Sequence, residues 1–572
     1  QEKTVTGVVT SEDTGEPLPG VNIVIEGTFQ GTATSGDGTY SIEVPSSETV
    51  LLFSAIGFST QSVAVGDRTT INVELPPYLT AVDEVVVIGY GSQQKKEVTS
   101  SVANVNSEEF NKGNVTNPEQ LIQGKVAGLS ITKPGGNPNQ GFNIRLRGLS
   151  TVGDNTQPLV VIDGVLGASL DNVDPNDIES MDVLKDGSGA AIYGTRGSSG
   201  VILVTTKKGR RGTSRVSYNG YVTNDMVAKT TNVMTAGEWR TLSQEVGSGT
   251  DFGANTDWFD ETTQASLSHV HNLSLSGGTE KTTYRASINY RDNQGIMLNT
   301  GREQINGRLN ITQSALNDKL TFTLNLSVTQ REAQYGFTEA FRYASIYNPT
   351  APVRSDDAAY DMYDGYFQQI LFDYYNPVQI LEQNINEGKD RLSNISLRGA
   401  YNLTDDLVVD AFYSVQSENN LRGRYYDKNS YWVGMNRNGL AARNIYTSYN
   451  QLFESTINWD GELSSGFDLE VLGGYSYQDF IYEGFNAEGG DFITDAFTYN
   501  NLSAALDFNN GIGSIDSYKN SSKLIAFFGR VNMNINDEFF VTASARYEGS
   551  TRFGADNKWG LFPAVGVGWD LS

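Results

Sequence analysis

Side chains that could do chemistry are scarce in this chain of 572 residues. The only histidines are His269 and His271, in the stretch LSHVHNLSL, and there is no cysteine. Two histidines at positions i and i+2 of a strand point to one face and could hold a metal with carboxylate help, but no third ligand accompanies them. The lack of cysteine excludes disulfides and thiolate metal sites. The sequence therefore predicts neither a metal site nor a cofactor.

A glycine-rich stretch, LKDGSGAAIYGTRGSSGVILVTTKKG, invites comparison with a phosphate-binding loop. Such a loop needs a lysine and a hydroxyl residue directly after its last glycine, and no lysine stands there. Structural turns and close backbone packing explain the glycines better. No nucleophile, base and orienting group occur in a recognisable set, and a carboxylate pair chosen among 67 acidic residues would mean nothing. The chain is not predicted to be an enzyme.

The overall charge and hydropathy exclude further classes. Lys and Arg number 41 against 67 Asp and Glu, which gives a net charge of −26 and repels nucleic acid. No run approaches the ~20 apolar residues of a membrane helix. The chain opens at Gln1 without a basic or apolar leader, which predicts either that it is not exported or that numbering begins after signal removal.

Residues 1–76 show short alternating strands separated by Gly, Pro and Asp turns. Alternation is clear at Val21, Ile23 and Ile25, and the tight turn at residues 36–38 contains two glycines. This spacing predicts a small β-sandwich. The pattern GEPLPGVNIVIEGT followed by GTATSGDGTYSIEVP resembles the carboxypeptidase-regulatory-like, transthyretin-like domain.

The stretch DEVVVIGYG, residues 83–91, contains an unbroken β-branched run. It lies between Pro76 and Pro77 on one side and the polar residues 92–96 on the other. A strand with one solvent-exposed face would alternate apolar and polar residues. An unbroken apolar run therefore predicts burial on both faces or pairing with a partner elsewhere. This segment therefore reads as a strand in a linker, without a sheet of its own.

Residues 98–212 mix short helices and strands. A helix is predicted to start near Asn117 and Pro118, and two strands follow in FNIRLRG and PLVVIDGV, the second ending in a turn at Asp163 and Gly164. In IRLRG, Arg145 and Arg147 alternate with apolar residues. Partly buried guanidinium groups need carboxylate partners, so a wall of acids around this domain is expected.

From residue 213 onward, alternating strands of about ten residues are separated by turns, which is the pattern of a transmembrane barrel. In residues 320–328 apolar side chains occupy one face and polar ones the other. Short turns, such as residues 317–318 and 404–406, interleave with very long links, such as residues 335–390. One short rim and one long rim are typical of an outer-membrane barrel.

Two long blocks carry a family resemblance. FNIRLRGLSTVGDNTQPLVVIDGV and VLKDGSGAAIYGTRGSSGVILVTTKKG resemble the plug domain of TonB-dependent outer-membrane transporters, in particular the SusC-like branch of Bacteroidetes. RYEGSTRFGADNKWGLFPAVGVGWDLS resembles the barrel of that branch, and the sandwich is typical of it. The implied fold is dominated by β-structure, with a sandwich at 1–76, a linker at 77–97, an α+β plug at 98–212 and part of a roughly 22-stranded transmembrane β-barrel at 213–572.

About a dozen strand candidates fall short of that number. An open sheet edge cannot lie in hydrocarbon, because each unpaired backbone group costs several kcal/mol. The sequence is therefore expected to be the N-terminal portion of a longer polypeptide, or to take its remaining strands from another chain.

The resemblance implies active import of an oligosaccharide or peptide across the outer membrane of a Bacteroidetes-like Gram-negative cell. It implies a periplasmic TonB protein that pulls on the plug, a SusD-like surface lipoprotein that acts as a lid, and contact with outer-membrane lipids. The sandwich and the TonB box are expected in the periplasm. The alternative is an outer-membrane scaffold that serves protein assembly or secretion.

Site residues follow from the same resemblance. The run beginning at Asp83 matches the position of the TonB box, where an extended segment can add as a strand to a partner sheet. We expect residues 85–88 to be loosely placed without TonB; the alternative is a linker strand docked on the sandwich or plug. The predicted TonB-binding residues are Asp83, Glu84, Val85, Val86, Val87 and Ile88; the plug and gating residues are Arg145, Arg147, Asp163, Gly164 and Arg196; the substrate-binding residues are Thr151, Asp154, Asn155 and Gln157.

Overall fold

A computed structural model describes residues 3–571 of the protein, apart from residues 13–14, 27, 29, 56–57, 77–84, 114, 134 and 150–155. The chain divides into two compact units, Gln1–Val85 and Val86–Ser572.

The first unit is a β-sandwich, as its alternation predicts. Three strands form one sheet in the order β4-β1-β7, and four form the other in the order β3-β2-β5-β6. Ile23, Leu51 and Phe53 are fully buried, so the apolar side of each strand faces the core. The strands are β1 (Lys3–Ser11), β2 (Asn22–Ile25), β3 (Gly31–Ala33), β4 (Thr39–Val44), β5 (Val50–Ser54), β6 (Gln61–Ala64) and β7 (Val73–Leu75).

The boundary between the two units falls within the first strand of a short hairpin, here called the docked hairpin. Its strands are β8 (Val85–Ile88) and β9 (Gly91–Gln94), which pair only with each other among the described residues. The turn between them is Gly89 and Tyr90.

A mixed domain follows, here called the inner domain. Five strands pair in the order β10-β15-β16-β13-β14, and β11 pairs with β12. Its core includes the fully buried Ile178, Met181 and Leu184. The strands are β10 (Val102–Asn106), β11 (Leu129–Thr132), β12 (Asn143–Leu146), β13 (Leu159–Ile162), β14 (Val165–Leu166), β15 (Ile178–Leu184) and β16 (Val201–Thr206), and the one α-helix among the described residues of this domain is α1 (Gly187–Ala190).

Three details of the inner domain bear on the sequence predictions. The helix expected near Asn117 is a single 3₁₀ turn, Pro118–Ile122, whose N-terminus is closed by a capping box between Asn117 and Gln120. The turn at Asp163 and Gly164 is confirmed, since both residues have positive φ, 48° and 90°. The predicted strands FNIRLRG and PLVVIDGV are also confirmed as β12 and β13.

The largest element is a twelve-stranded antiparallel sheet, here called the large sheet, in which each strand pairs with the next along the chain. Helices α2 (Ala236–Val246), α3 (Trp258–Thr262), α4 (Glu339–Ile346) and α5 (Pro377–Gln383) lie in two of its long connections. The strands are β17 (Gly212–Asp225), β18 (Ser266–Gly278), β19 (Thr282–Gln294), β20 (Gly301–Ala315), β21 (Leu320–Gln334), β22 (Ile385–Asn402), β23 (Leu407–Tyr426), β24 (Leu440–Ser464), β25 (Phe467–Gly490), β26 (Ser514–Ile535), β27 (Phe539–Ser550) and β28 (Trp559–Trp569).

The two rims of the large sheet differ as predicted. One rim carries the short turns 279–281, 316–319, 403–406, 465–466 and 536–538, and the other carries links as long as 226–265 and 335–384. Asn317, Asp318, Asn536 and Asp537 adopt positive φ, which short polar side chains tolerate. A short rim and a long rim are the arrangement of outer-membrane barrels.

Burial in the large sheet is inverted relative to a water-soluble sandwich. On β21, Ser327 and Thr329 are buried, whereas Phe322 and Val328 are 43% and 48% exposed. The polar face is buried because it packs against the inner domain, and Ser327 Oγ donates to the Asn172 carbonyl at 2.9 Å. The exposed face is apolar, which suits a lipid environment.

The helices and the two edge strands of the large sheet complete the description of the fold. Among the described residues, no helix is both long and apolar enough to span a membrane. The first and last strands of the large sheet, β17 and β28, are not paired with each other in the described part of the chain. Which further strands lie beside these edges stays a prediction.

Candidate functional site

The docked hairpin carries the predicted TonB box. Val86 and Ile88 are only 3% and 8% exposed, and Val87 packs against the core of the inner domain. The expectation of a loosely placed segment is therefore wrong for Val86, Val87 and Ile88, which dock as the linker-strand alternative predicts. Their assignment as part of the TonB box stays a prediction. The apolar run leaves water because burying valine and isoleucine side chains is favourable by about 1.5–3 kcal/mol each. Asp83 and Glu84 lie outside the described residues.

The GYG sequence explains how the hairpin is held. A Cβ atom on Gly89 would come within 2.5 Å of Ile192 Cγ2, so only glycine allows this approach. Tyr90 has φ of 59°, a left-handed conformation that is uncommon outside glycine, asparagine and aspartate. The Gly89 carbonyl accepts a hydrogen bond from Arg530 Nη1 on β26. The turn of the hairpin is thus attached to the large sheet.

Aspartates of the inner domain pair with arginines of the large sheet. Asp177 is fully buried and accepts from Arg285 Nη2 at 3.0 Å, Ser287 Oγ at 2.7 Å and Asn289 Nδ2 at 3.0 Å. Further pairs of the same kind are Asp174 with Arg291 at 3.0 Å, Asp171 with Arg302 at 3.3 Å and Arg331 at 3.4 Å, and Asp163 with Arg308. These contacts fix the inner domain against β19, β20 and β21.

The prediction that acidic residues surround and pair with Arg145 and Arg147 is therefore wrong. The ion pairs join aspartates of the inner domain to arginines of the large sheet instead. Both arginines are exposed, and neither forms an ion pair within the described part of the chain. Arg147 Nη2 donates to Ser101 Oγ at 3.4 Å. The physical reason is the pleat of β12, which buries Ile144 and Leu146 in the core and turns the alternate residues away from it.

Two other predicted gating residues, Asp163 and Arg196, differ in how well their polar groups are paired. Asp163 accepts hydrogen bonds from the Thr206 backbone at 3.0 Å and from Thr206 Oγ1 at 2.7 Å, in addition to its arginine partner. Arg196 has its Nε and Nη2 atoms buried without a hydrogen-bond partner among the described residues. Burial, followed by the nearby Arg546 charge, lowers the pKa of Arg196 below its usual value.

Only one predicted substrate-binding residue can be placed. Thr151, Asp154 and Asn155 lie outside the described residues. Gln157 lines a cavity of about 430 Å³ together with Arg196 of the inner domain. The other walls come from the large sheet and the link 551–558, and include the aromatic rings of Phe480 and Tyr482 and the guanidinium group of Arg552. The cavity combines aromatic faces with polar and cationic groups, including Thr195, Lys523 and Ser550, and its size is suited to a small ligand.

Sequence reasoning missed a second cavity, of about 530 Å³, beside the docked hairpin. Its lining includes Tyr90 to Gln94 and inward-facing residues near the short-turn ends of β22 to β27. Five carboxylates and one arginine line it: Glu97, Asp410, Asp460, Asp468, Glu470 and Arg398. The pattern of acids at the strand ends is visible in the sequence, but the fold is needed to bring them together.

The two histidines do not assemble a metal site. His271 Nδ1 lies 2.7 Å from Tyr218 Oη, and His269 Nε2 lies 3.8 Å from Asp292. No group of three or more potential ligands from His, Asp and Glu occurs among the described residues.

Glu119 makes the stability of the inner domain dependent on pH. Burial, followed by the charge of Asp171, raises its pKa from 4.5 to about 7, and its Oε2 atom has no hydrogen-bond partner among the described residues. The folded state therefore holds an extra proton between pH 4.5 and 7. The free energy of unfolding falls as pH rises through this window, by about 3 kcal/mol, and is constant above it.

Glu119→Gln is expected to remove this loss and to stabilise the inner domain above pH 7, with no gain at pH 4.5. Hydrogen exchange of residues 118–131 at pH 5 and pH 8 measures it. Glu108→Gln, at an exposed position, is the matched control. Equal pH dependence in the wild type and the Glu119 variant would contradict the prediction.

Two family models match the chain. The TonB-dependent receptor plug domain matches residues 94–201, and the CarboxypepD_reg-like domain matches residues 5–87.

Curated relatives extend the similarity over the whole chain. TonB-dependent receptor P3 of Formosa agariphila is 33% identical over 595 aligned residues, covering 100% of this chain and 57% of the relative. TonB-dependent receptor SusC of Bacteroides thetaiotaomicron is 32% identical, covering 100% of this chain and 59% of the relative. The chain thus spans less than three fifths of the length of either relative.

Solved structures match the fold. The RagAB peptide importer in its open-open state superimposes with a TM-score of 0.74 at 22% identity, covering 85% of this chain and 59% of that one. The unliganded ferric citrate transporter FecA gives a TM-score of 0.52 at 14% identity, covering 83% of this chain and 61% of that one. At these identities the likeness concerns the fold alone: an inner domain enclosed by part of a barrel.

Proposed function

The chain belongs to the SusC-like branch of the TonB-dependent receptors of the outer membrane, and on this premise we propose that it takes part in TonB-dependent active import of an oligosaccharide or peptide. The inner domain is the plug of this receptor, and the large sheet is part of its barrel. Import requires that the plug close the lumen at rest and yield when pulled.

The observation that carries the proposal is the mode of attachment of the plug. Its contacts with β19 to β21 of the barrel include buried ion pairs and hydrogen bonds, such as Asp177 with Arg285 and Asp174 with Arg291. Apolar side chains of β23 to β26 join the plug core as well: Phe412, Leu452, Leu472 and Phe528. Polar contacts of this kind hold a domain in one position and can be replaced by water when the domain moves, unlike a continuous apolar core. A permanent scaffold has no need of such a seal.

The TonB-binding role falls to Val85 to Ile88, with Asp83 and Glu84 before them. The proposed mechanism is strand addition, in which main-chain hydrogen bonds of the extended segment join it to the edge of a TonB sheet. Val86, Val87 and Ile88, which are buried or packed against the plug in the docked hairpin, are β-branched and favour the extended form needed for that pairing. The sandwich and this segment would lie in the periplasm.

The proposed gating residues are Asp163, Gly164 and Arg196, which the fold attaches to the plug core, together with Arg145 and Arg147 on its exposed face. The ligand would bind in the cavity of about 430 Å³ beside Gln157, where the Phe480 and Tyr482 rings lie nearly parallel, at 7°. Parallel aromatic faces suit stacking against a sugar ring or a flat side chain. Thr151, Asp154 and Asn155, which precede Gln157 in the sequence, are proposed to bind the same ligand. A SusD-like lipoprotein would act as a lid that closes the ligand-binding cavity.

The proposal is tested by purifying the receptor from native membranes and identifying what comes with it. Mass spectrometry is expected to find a bound oligosaccharide or peptide and a SusD-like lipoprotein. Deletion of residues 82–90 is expected to stop growth on that compound as sole nutrient. If growth on every candidate nutrient is unchanged while outer-membrane integrity fails, import is wrong and a scaffold role is favoured.

A further inference from the structure

The Tyr90 side chain joins the TonB-box hairpin to both the plug and the barrel. Its hydroxyl donates to Glu454 Oε1 on β24 at 2.7 Å. Its ring stacks on Phe528 of β26, with ring centroids 4.4 Å apart, and on Tyr193 of the plug, with centroids 5.7 Å apart. Tyr90 is the second residue after the box, so a pull on the box reaches this side chain through Gly89 alone.

The partners of Tyr90 are buried, so losing the contacts with this side chain would destabilise the docked hairpin. Glu454 is 5% exposed, and Phe528 is also 5% exposed. A buried carboxylate that loses a hydrogen-bond donor retains its desolvation cost without the compensating bond. The docked state is thus favoured while the tyrosine hydroxyl is in place.

The backbone at this position is held in an unusual conformation. Tyr90 has φ of 59°, although its neighbours Gly89 and Gly91 are the residues that adopt such angles without penalty. Side-chain contacts must therefore maintain the turn. Once the ring leaves its site, the residue can relax to an extended conformation, which opposes immediate return of the hairpin.

The box cannot pair with a partner sheet while it is docked. Val86 and Ile88 are buried, and one edge of β8 already pairs with β9. Strand addition needs a free edge and exposed side chains. A partner therefore binds only the fraction of molecules in which the hairpin has left the plug, and its apparent affinity is reduced by that fraction.

We propose that Tyr90 is a positioning residue that withholds the TonB box: its contact with Glu454 keeps residues 85–88 folded into the plug, and a periplasmic TonB domain binds the box only after this contact opens. The inference rests on the proposed function for the identity of the partner. The release of the hairpin itself does not depend on that identity.

The experiment uses the full-length receptor carrying Val87→Cys, since residues 1–572 contain no cysteine of their own. The rate of maleimide labelling reports undocking of the hairpin, and binding of the isolated TonB C-terminal domain reports availability of the box. Tyr90→Phe removes only the hydroxyl. Tyr90→Gly removes the ring but accepts the left-handed backbone.

Labelling is expected to accelerate roughly tenfold in Tyr90→Phe, consistent with loss of one hydrogen bond, and further in Tyr90→Gly. TonB binding, measured on the same variants without the added cysteine, is expected to tighten by similar factors. Tyr290→Phe is the matched control, because its hydroxyl donates to Glu303 at 3.0 Å on the outer face and has no contact with the hairpin. A cysteine at the buried Val161 must stay unlabelled, which shows that the plug remains folded.

The outcomes separate the two claims. If Tyr90→Phe labels at the wild-type rate, Tyr90 does not withhold the box and the inference is overturned. If labelling accelerates but TonB binds no variant, the positioning role stands and the TonB-box assignment fails. If Glu454→Ala accelerates labelling and Tyr90→Phe adds nothing to it, the two residues act as one unit, as proposed.

Discussion

Val87→Pro is expected to abolish energised uptake of the ligand while the barrel still assembles. Proline removes the backbone N–H of the central box residue and fixes its φ. Strand addition to TonB depends on main-chain hydrogen bonds, so the loss of a donor in a four-residue strand removes a large part of the binding energy. Uptake of the ligand that co-purifies with the receptor measures the effect in intact cells.

The control for this prediction lies on the other strand of the same hairpin. Gln93→Pro disturbs β9 to a similar extent but leaves the box itself able to pair, so uptake is expected to persist. Receptor abundance in the outer membrane is measured for both variants. Wild-type uptake in Val87→Pro contradicts the prediction, and loss of uptake in both variants would assign the effect to the hairpin fold instead of the TonB contact.

Asp177→Ala is expected to weaken the seating of the plug by about 3–5 kcal/mol, because it leaves the Arg285 charge largely buried without its partner. Asp177 is fully buried and makes hydrogen bonds to three side chains of one strand, β19. The expected result is ion conductance through the receptor in planar lipid bilayers and faster proteolysis of the plug. Asp177→Asn, which keeps the shape and one acceptor oxygen, is expected to show a smaller effect.

The neighbouring Glu179 provides a matched control for this prediction. It pairs with Arg210 at 3.4 Å, and both side chains are well exposed. Exposed ion pairs contribute about 0–1 kcal/mol, so Glu179→Ala is expected to leave conductance and proteolysis unchanged. Equal effects of the two substitutions would contradict the assigned role of the buried pair.

Much of the fold follows from the alternation of side chains. A strand that buries one face alternates in sequence, and residues 320–328 do so as clearly as any in the chain, so about a dozen barrel strands could be counted and twelve are present. Turn residues are equally informative, as at Asp163 and Gly164, because few residue types accept positive φ. Local rules suffice for both features.

The plug contacts could not be predicted in the same way, because they depend on which faces meet. Arg145 and Arg147 looked like the charged partners, but the pairing runs from plug aspartates to barrel arginines. A signal was present: four aspartates are closely spaced in the plug, and four arginines lie on two neighbouring predicted strands. These are Asp163, Asp171, Asp174 and Asp177, and Arg285, Arg291, Arg302 and Arg308. Placing these sets opposite each other required the tertiary structure.

The TonB box illustrates the limit of reading a strand without its surroundings. An unbroken apolar run predicts either burial or an external partner, and the structure shows burial in the docked hairpin. Both descriptions are compatible if the hairpin opens, since the same side chains serve the docked and the paired state. The sequence alone does not contain the contact that controls the exchange, Tyr90 with Glu454, because these residues are 364 positions apart.

The most direct test of the central claim is site-specific photo-crosslinking from residue 87 in living cells that express the intact receptor. A photoreactive amino acid replaces Val87, and a second strain carries it at the exposed loop residue Ser503 as the control. We predict a crosslink to TonB from residue 87 that increases when ligand is added, and none from residue 503. The absence of any TonB crosslink from residue 87, with ligand present and the membrane energised, would contradict the account.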